Sequence, residues 1–252
     1  MISFEFPLTE RVRTLLRLED LFQRMAVFQS HDDTFDHHAA LILMFEIAEL
    51  GARSDLKMDL LKELDRQRGV LEALRDNPII AEDALDEVLG QIEESANQLR
   101  ELSGRFGHHV RDNEWLTMLR QRLALSNGAC SFDLPSYYFW MQQTAEERRA
   151  DMALWCEPLF PAWSAVQVLL KILRDNAKTY PQIARAGAFQ QMAGGRVVHL
   201  IRISLDPTLK LVPELSANKH VINIRLTSPV SCGERAKQAD GDIPFLMTFC
   251  RL

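Results

Sequence analysis

Residues 196–205 read RVVHLIRISL, and this stretch decides the fold class of the chain. Its β-branched and aliphatic residues alternate or cluster in the way that is typical of a strand. Two similar runs follow, HVINIRL at 220–226 and IPFLMTFC at 243–250, with Gly, Pro, Asn and Asp between them. The pattern predicts a small antiparallel sheet. Residues 186–192 are expected to add a strand, joined to the first through a hairpin turn at Ala193-Gly194-Gly195.

Before Tyr180-Pro181 the pattern changes, because apolar residues recur there every three or four positions. This spacing predicts amphipathic helices. They are expected over residues 9–25, 33–50, 56–74, 85–102, 115–125, 145–156 and 163–177.

Several residues are typical of helix ends. Thr9 is the expected N-cap of the first helix, and Gly51 is expected to supply the left-handed residue that ends the second. Thr144 and Glu147 have the spacing of a capping box. Two prolines are expected to break the helical path after residue 156, namely Pro158 and Pro161.

The chain is therefore predicted to be α+β, with a mainly α-helical domain at 1–180 and a small antiparallel β-rich domain at 181–252. The apolar stripe at 85–102 is close to a seven-residue repeat, so it needs a partner helix. That partner is either the preceding helix in an antiparallel hairpin or the same helix of a second subunit. Periodicity does not choose between them.

Composition excludes some classes of function. The 252 residues are 47% hydrophobic and carry a formal net charge of -6, which argues against a general nucleic-acid binder. The N-terminus lacks the apolar segment of a signal peptide, and no apolar run approaches the roughly 18 residues of a membrane span. A cytoplasmic protein is expected.

The sequence contains no convincing catalytic, nucleotide or metal motif. The four cysteines are scattered singly, so reduced thiols are expected, and neither a cofactor nor a metal is predicted. The His and Asp residues at 31–38 are interpreted as helix-cap and surface residues, because the adjacent His37 and His38 would point about 100° apart on a helix. The competing enzyme hypothesis is a thiol-dependent hydrolase or transferase site built around Cys130, Asp133 and a histidine from elsewhere in the chain.

Basic residues are the more informative group. If they share one face, they would orient an acidic peptide, with arginine favoured for bidentate contacts to carboxylates. The alternatives are a solvated surface and a nucleic-acid-binding module. The residues are Arg11, Arg13, Arg17, Arg53, Lys57, Arg120, Arg122, Lys219, His220 and Arg225.

Three stretches together resemble the ZapD family of division proteins: PLTERVRTLLRLEDLF at 7–22, LLKELDRQR at 60–68, and RQRLALSNGACSFDLPSYYFW at 120–140. The third is the most specific, because a small-residue loop, a CSFDLP hexapeptide and an aromatic helix follow one another. The resemblance continues through LIRISLD at 200–206 and the residues before INIRL at 222–226. It covers essentially the whole chain.

The resemblance implies a non-enzymatic homodimer that binds the C-terminal tail peptide of FtsZ and cross-links FtsZ filaments at the division ring. The positions that match the basic residues of the family's tail-binding surface are Arg17, Arg53, Lys219 and Arg225, and the RQR segment adds Arg120 and Arg122. The sequence departs from the family at three positions where other members carry basic residues, namely Glu114, Tyr138 and Val221.

Overall fold

A computed structural model describes residues 1–53, 55–75, 77, 81–125, 130–192, 194–195, 197–229 and 236–252. The side chain of Arg53 and the Cys232 thiol lie outside what it describes. The helices are α1 (Glu10–Ser30), α2 (Thr34–Arg53), α3 (Leu56–Glu72), α4 (Glu82–Glu101), α5 (His108–Asp112), α6 (Glu114–Leu123), α7 (Pro135–Gln142), α8 (Ala145–Cys156) and α9 (Phe160–Asp175). The strands are β1 (Ile2–Pro7), β2 (Lys178–Ala184), β3 (Ala188–Met192), β4 (Leu200–Leu205), β5 (Val212–Ala217), β6 (Val221–Thr227) and β7 (Ile243–Cys250). The predicted α+β class is confirmed.

The chain divides into two compact units. Residues 15–169 form a helical unit, and residues 1–14 together with 170–252 form a sheet unit. These bounds differ from a division at residue 180, because β1 at the start of the chain pairs with β4 along its whole length. Strand β2 also begins before residue 181.

The helices confirm the signals that depend on local sequence. Thr9 accepts a hydrogen bond from the backbone N–H of Val12 at the start of α1. Thr144 and Glu147 form the complete capping box of α8, with both reciprocal hydrogen bonds present. Helix α8 ends at Cys156, close to the break predicted from Pro158, whereas Pro161 lies in the first turn of α9. Within the described ranges no helix has the length and apolar character that crossing a membrane requires.

The apolar seam of α4 packs against the preceding helix, α3. Arg75, just after α3, pairs with Asp86 in the first part of α4 at 2.8 Å, and Asp65 in the middle of α3 pairs with Arg100 near the end of α4 at 3.3 Å. This order of partners is that of an antiparallel hairpin. Leucines of α3 and the Ile92 side chain of α4 are buried. The hairpin is therefore the arrangement that satisfies the seven-residue pattern.

Gly51 corrects the prediction for the end of α2. The helix continues to Arg53, and Gly51 is not among the described glycines with positive φ. A Cβ atom at Gly51 would overlap the ring of Phe106 and come within 3.1 Å of Leu56. The residue is glycine because another side chain packs directly on the backbone, not because the helix needs a left-handed terminus.

The sheet unit contains two antiparallel sheets rather than the single one predicted. Their strand orders are β1-β4-β7-β2 and β3-β6-β5. Both sheets contribute to one buried cluster of apolar side chains, which consists of Ala184, Ile201, Ile203, Leu205, Ile222, Ile224, Leu226, Phe245, Met247 and Phe249.

The predicted hairpin at 193–195 is wrong. Strand β3 pairs with β6, whereas β4 pairs with β1 and β7, so Gly194 and Gly195 connect two different sheets. Both glycines have positive φ, at 61° and 69°, which is consistent with a turn; Ala193 lies outside the described residues.

The strands that were not predicted from the sequence are β1, β2 and β5. Each lies at the edge of a sheet, and each contains a proline, namely Pro7, Pro181 and Pro213. Proline lacks the N–H that a central strand donates, but an edge strand tolerates it. Tyr180-Pro181 was predicted to separate the helices from the strands, and it instead lies within β2.

Candidate functional site

A cleft of about 860 Å³ opens in the sheet unit at the end where β1, β3, β5 and β7 finish and β4 and β6 begin. Apolar residues that pack on the core form much of its lining, including Phe6, Val198 and Leu215. The other lining residues are Pro7, Leu8, Thr9, Arg13, Gln191, Met192, Gly195, Val197, His199, Ser216, Ala217, Asn218, Lys219, Ile222 and Phe249. We call this space the sheet cleft.

The charges of the sheet cleft have one sign. Arg13 and Lys219 are both among its lining residues, and no carboxylate is among the described residues that line it. The chain as a whole has 35 acidic and 29 basic residues, so a cleft without acids does not follow from composition. Cations beside an apolar floor suit a peptide that carries both carboxylates and apolar side chains.

Lys219 lies in the turn that connects β5 to β6. The side-chain oxygen of Asn218 accepts hydrogen bonds from the backbone N–H groups of His220 and Val221, at 2.8 and 2.9 Å. The backbone N–H of Asn218 donates to the carbonyl of Val221 at 3.0 Å. These three bonds fix the turn locally, and the Lys219 side chain is exposed on it.

His199 was not predicted as a site residue, yet the cleft includes it. Its carbonyl accepts from the backbone N–H of Leu8, and its own N–H donates to Cys250, at 2.9 and 3.1 Å. Its Nδ1 accepts from the backbone N–H of Leu252 at 2.9 Å. Because Nδ1 accepts, the ring proton of the neutral side chain is on Nε2. No local sequence signal marks this position, since the cleft depends on the pairing of β4 with β1 and β7.

Arg225 is exposed on β6, four residues beyond Val221, which is about 13 Å at roughly 3.3 Å per residue. It lies opposite Glu214 of β5 and forms an ion pair with it at 3.8 Å. Its Nε also donates to Gln238 at 3.2 Å. The structure therefore does not bring Arg225 and Lys219 together in the sheet cleft.

In the helical unit, Arg17 is exposed on α1 and borders a shallow depression of about 310 Å³. This surface has mixed charge, because Arg24 lies there with three carboxylates, those of Asp20, Glu46 and Glu49.

Arg120 and Arg122 have different surroundings within α6. Arg120 is partly buried beside Phe45, Ala48 and Val110, and its Nε is buried without a hydrogen-bond partner. Arg122 is exposed. Arg53 is the last residue of α2, and its side chain lies outside the described part of the chain. Residues 126–129, in the loop after α6, also lie outside it.

The His and Asp residues at 31–38 act within the helical unit. Asp33 caps α2 by accepting from the backbone N–H groups of Phe35 and Asp36, as predicted. His37 is completely buried, which corrects the expected surface role, and burial lowers its pKa. His38 contacts the Tyr137 hydroxyl at 2.5 Å. Among the described residues, no group of His, Cys, Asp and Glu side chains is arranged to hold a metal ion.

Comparison with known proteins gives the relationship of the whole chain. The sequence model of the ZapD family, described as cell division protein, matches residues 16–225. The chain is 53% identical over 251 residues to the Cell division protein ZapD of Chromobacterium violaceum, and the match covers 100% of both proteins. This chain belongs to the ZapD family. The resemblance found in the sequence is confirmed.

ZapD is a family of cell division proteins and not a known enzyme family. The enzyme hypothesis placed a thiol-dependent site at Cys130 and Asp133. In this ZapD-family chain the described contact between these residues is a backbone hydrogen bond, from the N–H of Asp133 to the carbonyl of Cys130 at 3.0 Å. This hydrogen bond forms part of the turn that leads into α7.

Proposed function

We propose that this chain is a homodimeric cell division factor that binds the C-terminal tail of FtsZ and cross-links FtsZ filaments into bundles. It acts in the cytoplasm at the mid-cell division site, where it supports Z-ring assembly and septation. The observation that carries this proposal is the 53% identity to a ZapD protein over the full length of both chains. The proposed role involves no catalysis.

The sheet cleft is the proposed place for the tail peptide. Its apolar floor would receive apolar side chains of the peptide, and Lys219 would pair with peptide carboxylates. Arg13 would add a second contact by exchanging its ion pair with Glu10 for one with the peptide. Gln191 supports this proposal further, since its Oε1 is buried without a partner while the residue lines the cleft. A peptide N–H would satisfy that oxygen.

The remaining predicted residues are proposed to make further tail contacts, each within its own unit. Arg17, Arg122 and Arg225 are exposed and can meet a ligand directly. Arg120 is partly buried, so its proposed contribution includes bracing α6. Arg53 is also proposed to contact the tail, because its position matches a basic residue of the family's tail-binding surface.

Bundling follows from twofold symmetry. A dimer with one tail site in each copy holds two FtsZ tails, and once the first is bound, the second binds at an effective concentration set by the tether. Two filaments are then linked without any additional contact. A monomer would bind tails and leave filaments separate.

Co-sedimentation with FtsZ tests the partner and the site together. Full-length FtsZ is expected to form bundles that pellet at low speed with this protein, and FtsZ without its C-terminal tail is not. Equal pelleting of both forms would refute tail binding. A third sample with duplex DNA in place of FtsZ tests the alternative, because a nucleic-acid-binding module would retain the DNA with a steep dependence on salt.

A further inference from the structure

Three of the four tryptophans lie together in the helical unit. The ring centroids of Trp115 and Trp155 are 5.2 Å apart, those of Trp140 and Trp155 are 5.8 Å apart, and those of Trp115 and Trp140 are 6.2 Å apart. A recess of about 230 Å³ opens beside them. Its remaining lining residues are Ser136, Phe139, Gln143 and Asp151, and we call it the tryptophan pocket.

The polar atoms of the tryptophan pocket include acceptors that suit a cation. The Nε1 of Trp140 donates to Oδ2 of Asp151 at 3.0 Å, and the Nε1 of Trp115 donates to Ser136 at 3.2 Å, so two indole N–H groups already have partners. The Oε1 of Gln143 is buried without a hydrogen-bond partner. Asp151 is the single charged residue among the described residues that line the pocket.

The two cations of the same helix have other partners than Asp151: Arg149 pairs with Asp32, and Arg148 is bound elsewhere. Arg148 is buried, and its guanidinium donates to Nδ1 of His37 and to the backbone carbonyls of Asp32, Met141 and Gln143. A carboxylate, an unpartnered amide oxygen and electron-rich indole faces therefore share one recess, and none of the described residues that line it is a cation.

We propose that the tryptophan pocket binds an arginine side chain of a partner protein. A planar guanidinium can stack on an indole and donate to the Asp151 carboxylate and to Oε1 of Gln143 at the same time. Two exposed apolar side chains, Phe139 at 69% on α7 and Leu154 at 66% on α8, lie on two of the three helices that line the pocket and would contact apolar neighbours of that arginine. The occupant is therefore an arginine flanked by apolar residues. This site is distinct from the sheet cleft, which attracts acids.

Tryptophan fluorescence tests the proposal on the full chain, because three of its four tryptophans line the pocket. The probe is the peptide acetyl-Gly-Leu-Arg-Leu-Gly-amide, and its neutral counterpart carries citrulline in place of arginine. The arginine peptide is expected to give a saturable change in emission and to bind about five-fold more tightly than the citrulline peptide. No saturable response, or equal affinity for the two peptides, would overturn the proposal.

Asp151→Asn removes the charge and retains an acceptor for the Trp140 N–H. It is expected to weaken binding of the arginine peptide about five-fold, whereas Glu146→Gln on an exposed part of the same helix leaves it unchanged. Near-ultraviolet circular dichroism confirms that both variants keep the wild-type packing. Unchanged affinity in Asp151→Asn overturns the role of the carboxylate. If Asp151→Asn instead weakens self-association in sedimentation equilibrium, the occupant is a second copy of this chain, and a different partner protein is excluded.

Discussion

The Nε atom of Arg148 donates a hydrogen bond of 2.8 Å to Nδ1 of His37, and both residues are buried. The two residues are 111 positions apart in the sequence, and their contact links α8 to the start of α2. Because Nδ1 accepts this bond, the Nε2 atom of His37 carries the proton and donates to the carbonyl of His31 at 2.6 Å. The geometry therefore requires a neutral imidazole beside a permanently charged guanidinium.

Arg148 should contribute much more to stability than its neighbour Arg149. Replacing Arg148 with Met leaves His37 and three backbone carbonyls without their donor, so the free energy of unfolding is expected to fall by about 2–4 kcal/mol. Arg149→Met removes an ion pair with the exposed Asp32 and should cost much less than Arg148→Met, because water screens an exposed pair. Urea unfolding at pH 7.5 measures both. Equal losses of unfolding free energy in the two variants would contradict the larger role given to Arg148.

The buried histidines predict a loss of stability in mild acid. Burial lowers the pKa of His37, and the neighbouring Arg148 and Arg149 charges lower it further. Burial also lowers the pKa values of His38 and His109. Below the unfolded-state value of about 6.5, the unfolded chain binds more protons than the folded one, so the free energy of unfolding must fall as the pH falls.

Urea unfolding at pH 7.5 and 5.5 measures this effect. The wild type is expected to be less stable at pH 5.5, and His37→Gln should show a smaller difference between the two pH values because one titrating group is gone. A stability that is constant or higher at pH 5.5 would show that these histidines are charged in the folded protein.

Glu5 predicts a separate acid dependence in the sheet unit. Burial acts to raise its pKa, but hydrogen bonds from Arg174 and Arg202, at 2.8 and 2.7 Å, outweigh burial and lower it. Its stabilising contribution is therefore complete above about pH 4.3 and is lost as the pH falls through the folded-state pKa. Glu5→Gln is expected to cost about 1.5–3 kcal/mol at pH 7. Glu214→Gln, at an exposed ion pair, should change stability by less than about 0.5 kcal/mol and serves as the control.

Two helical glycines should respond oppositely to alanine. At Gly51 the new Cβ would overlap the ring of Phe106, so Gly51→Ala is expected to destabilise the protein by about 1–3 kcal/mol. At Gly90 in α4 a Cβ meets nothing within 4 Å, and Gly90→Ala should stabilise by roughly 0.5–1 kcal/mol. Thermal unfolding of both variants checks the signs. A stabilising Gly51→Ala would mean that the Phe106 ring moves aside without cost.

Charge reversal separates the sheet cleft from the other proposed tail contacts. Lys219→Glu is expected to weaken binding of a fluorescent FtsZ tail peptide about ten-fold, because it places a carboxylate among the lining residues. Lys210→Glu makes the same change of charge in the sheet unit at a residue that does not line the cleft, and it should leave the affinity within about two-fold. Fluorescence anisotropy gives both values.

Arg17→Glu and Arg225→Glu complete that series. Both substitutions are expected to weaken binding of the tail peptide, but less than Lys219→Glu does. Arg225 is already paired with Glu214, and Arg17 borders a surface of mixed charge. If Lys219→Glu binds like the wild type while these two lose affinity, the tail does not occupy the sheet cleft.

Most of the longer helices could be predicted because helix signals are local. The apolar spacing of α1, the cap at Thr9 and the capping box at Thr144 involve residues no more than four positions apart. The candidate site could be predicted less well. The sequence identified Lys219 as a basic residue of interest, but His199 enters the sheet cleft only through long-range strand pairing.

The sequence by itself determined the α+β class, the main helices and the membership of the ZapD family, since each depends on local periodicity or on similarity along the whole chain. Only the tertiary structure decided that residues 2–7 form a strand, that the sheet unit has two sheets, and that Gly51 lies under Phe106. The physical reason is that the conformation of a short edge strand depends more on its packing and pairing than on the preferences of its own residues. Its partner, far away in the sequence, supplies the hydrogen bonds and the apolar surface that hold it in place.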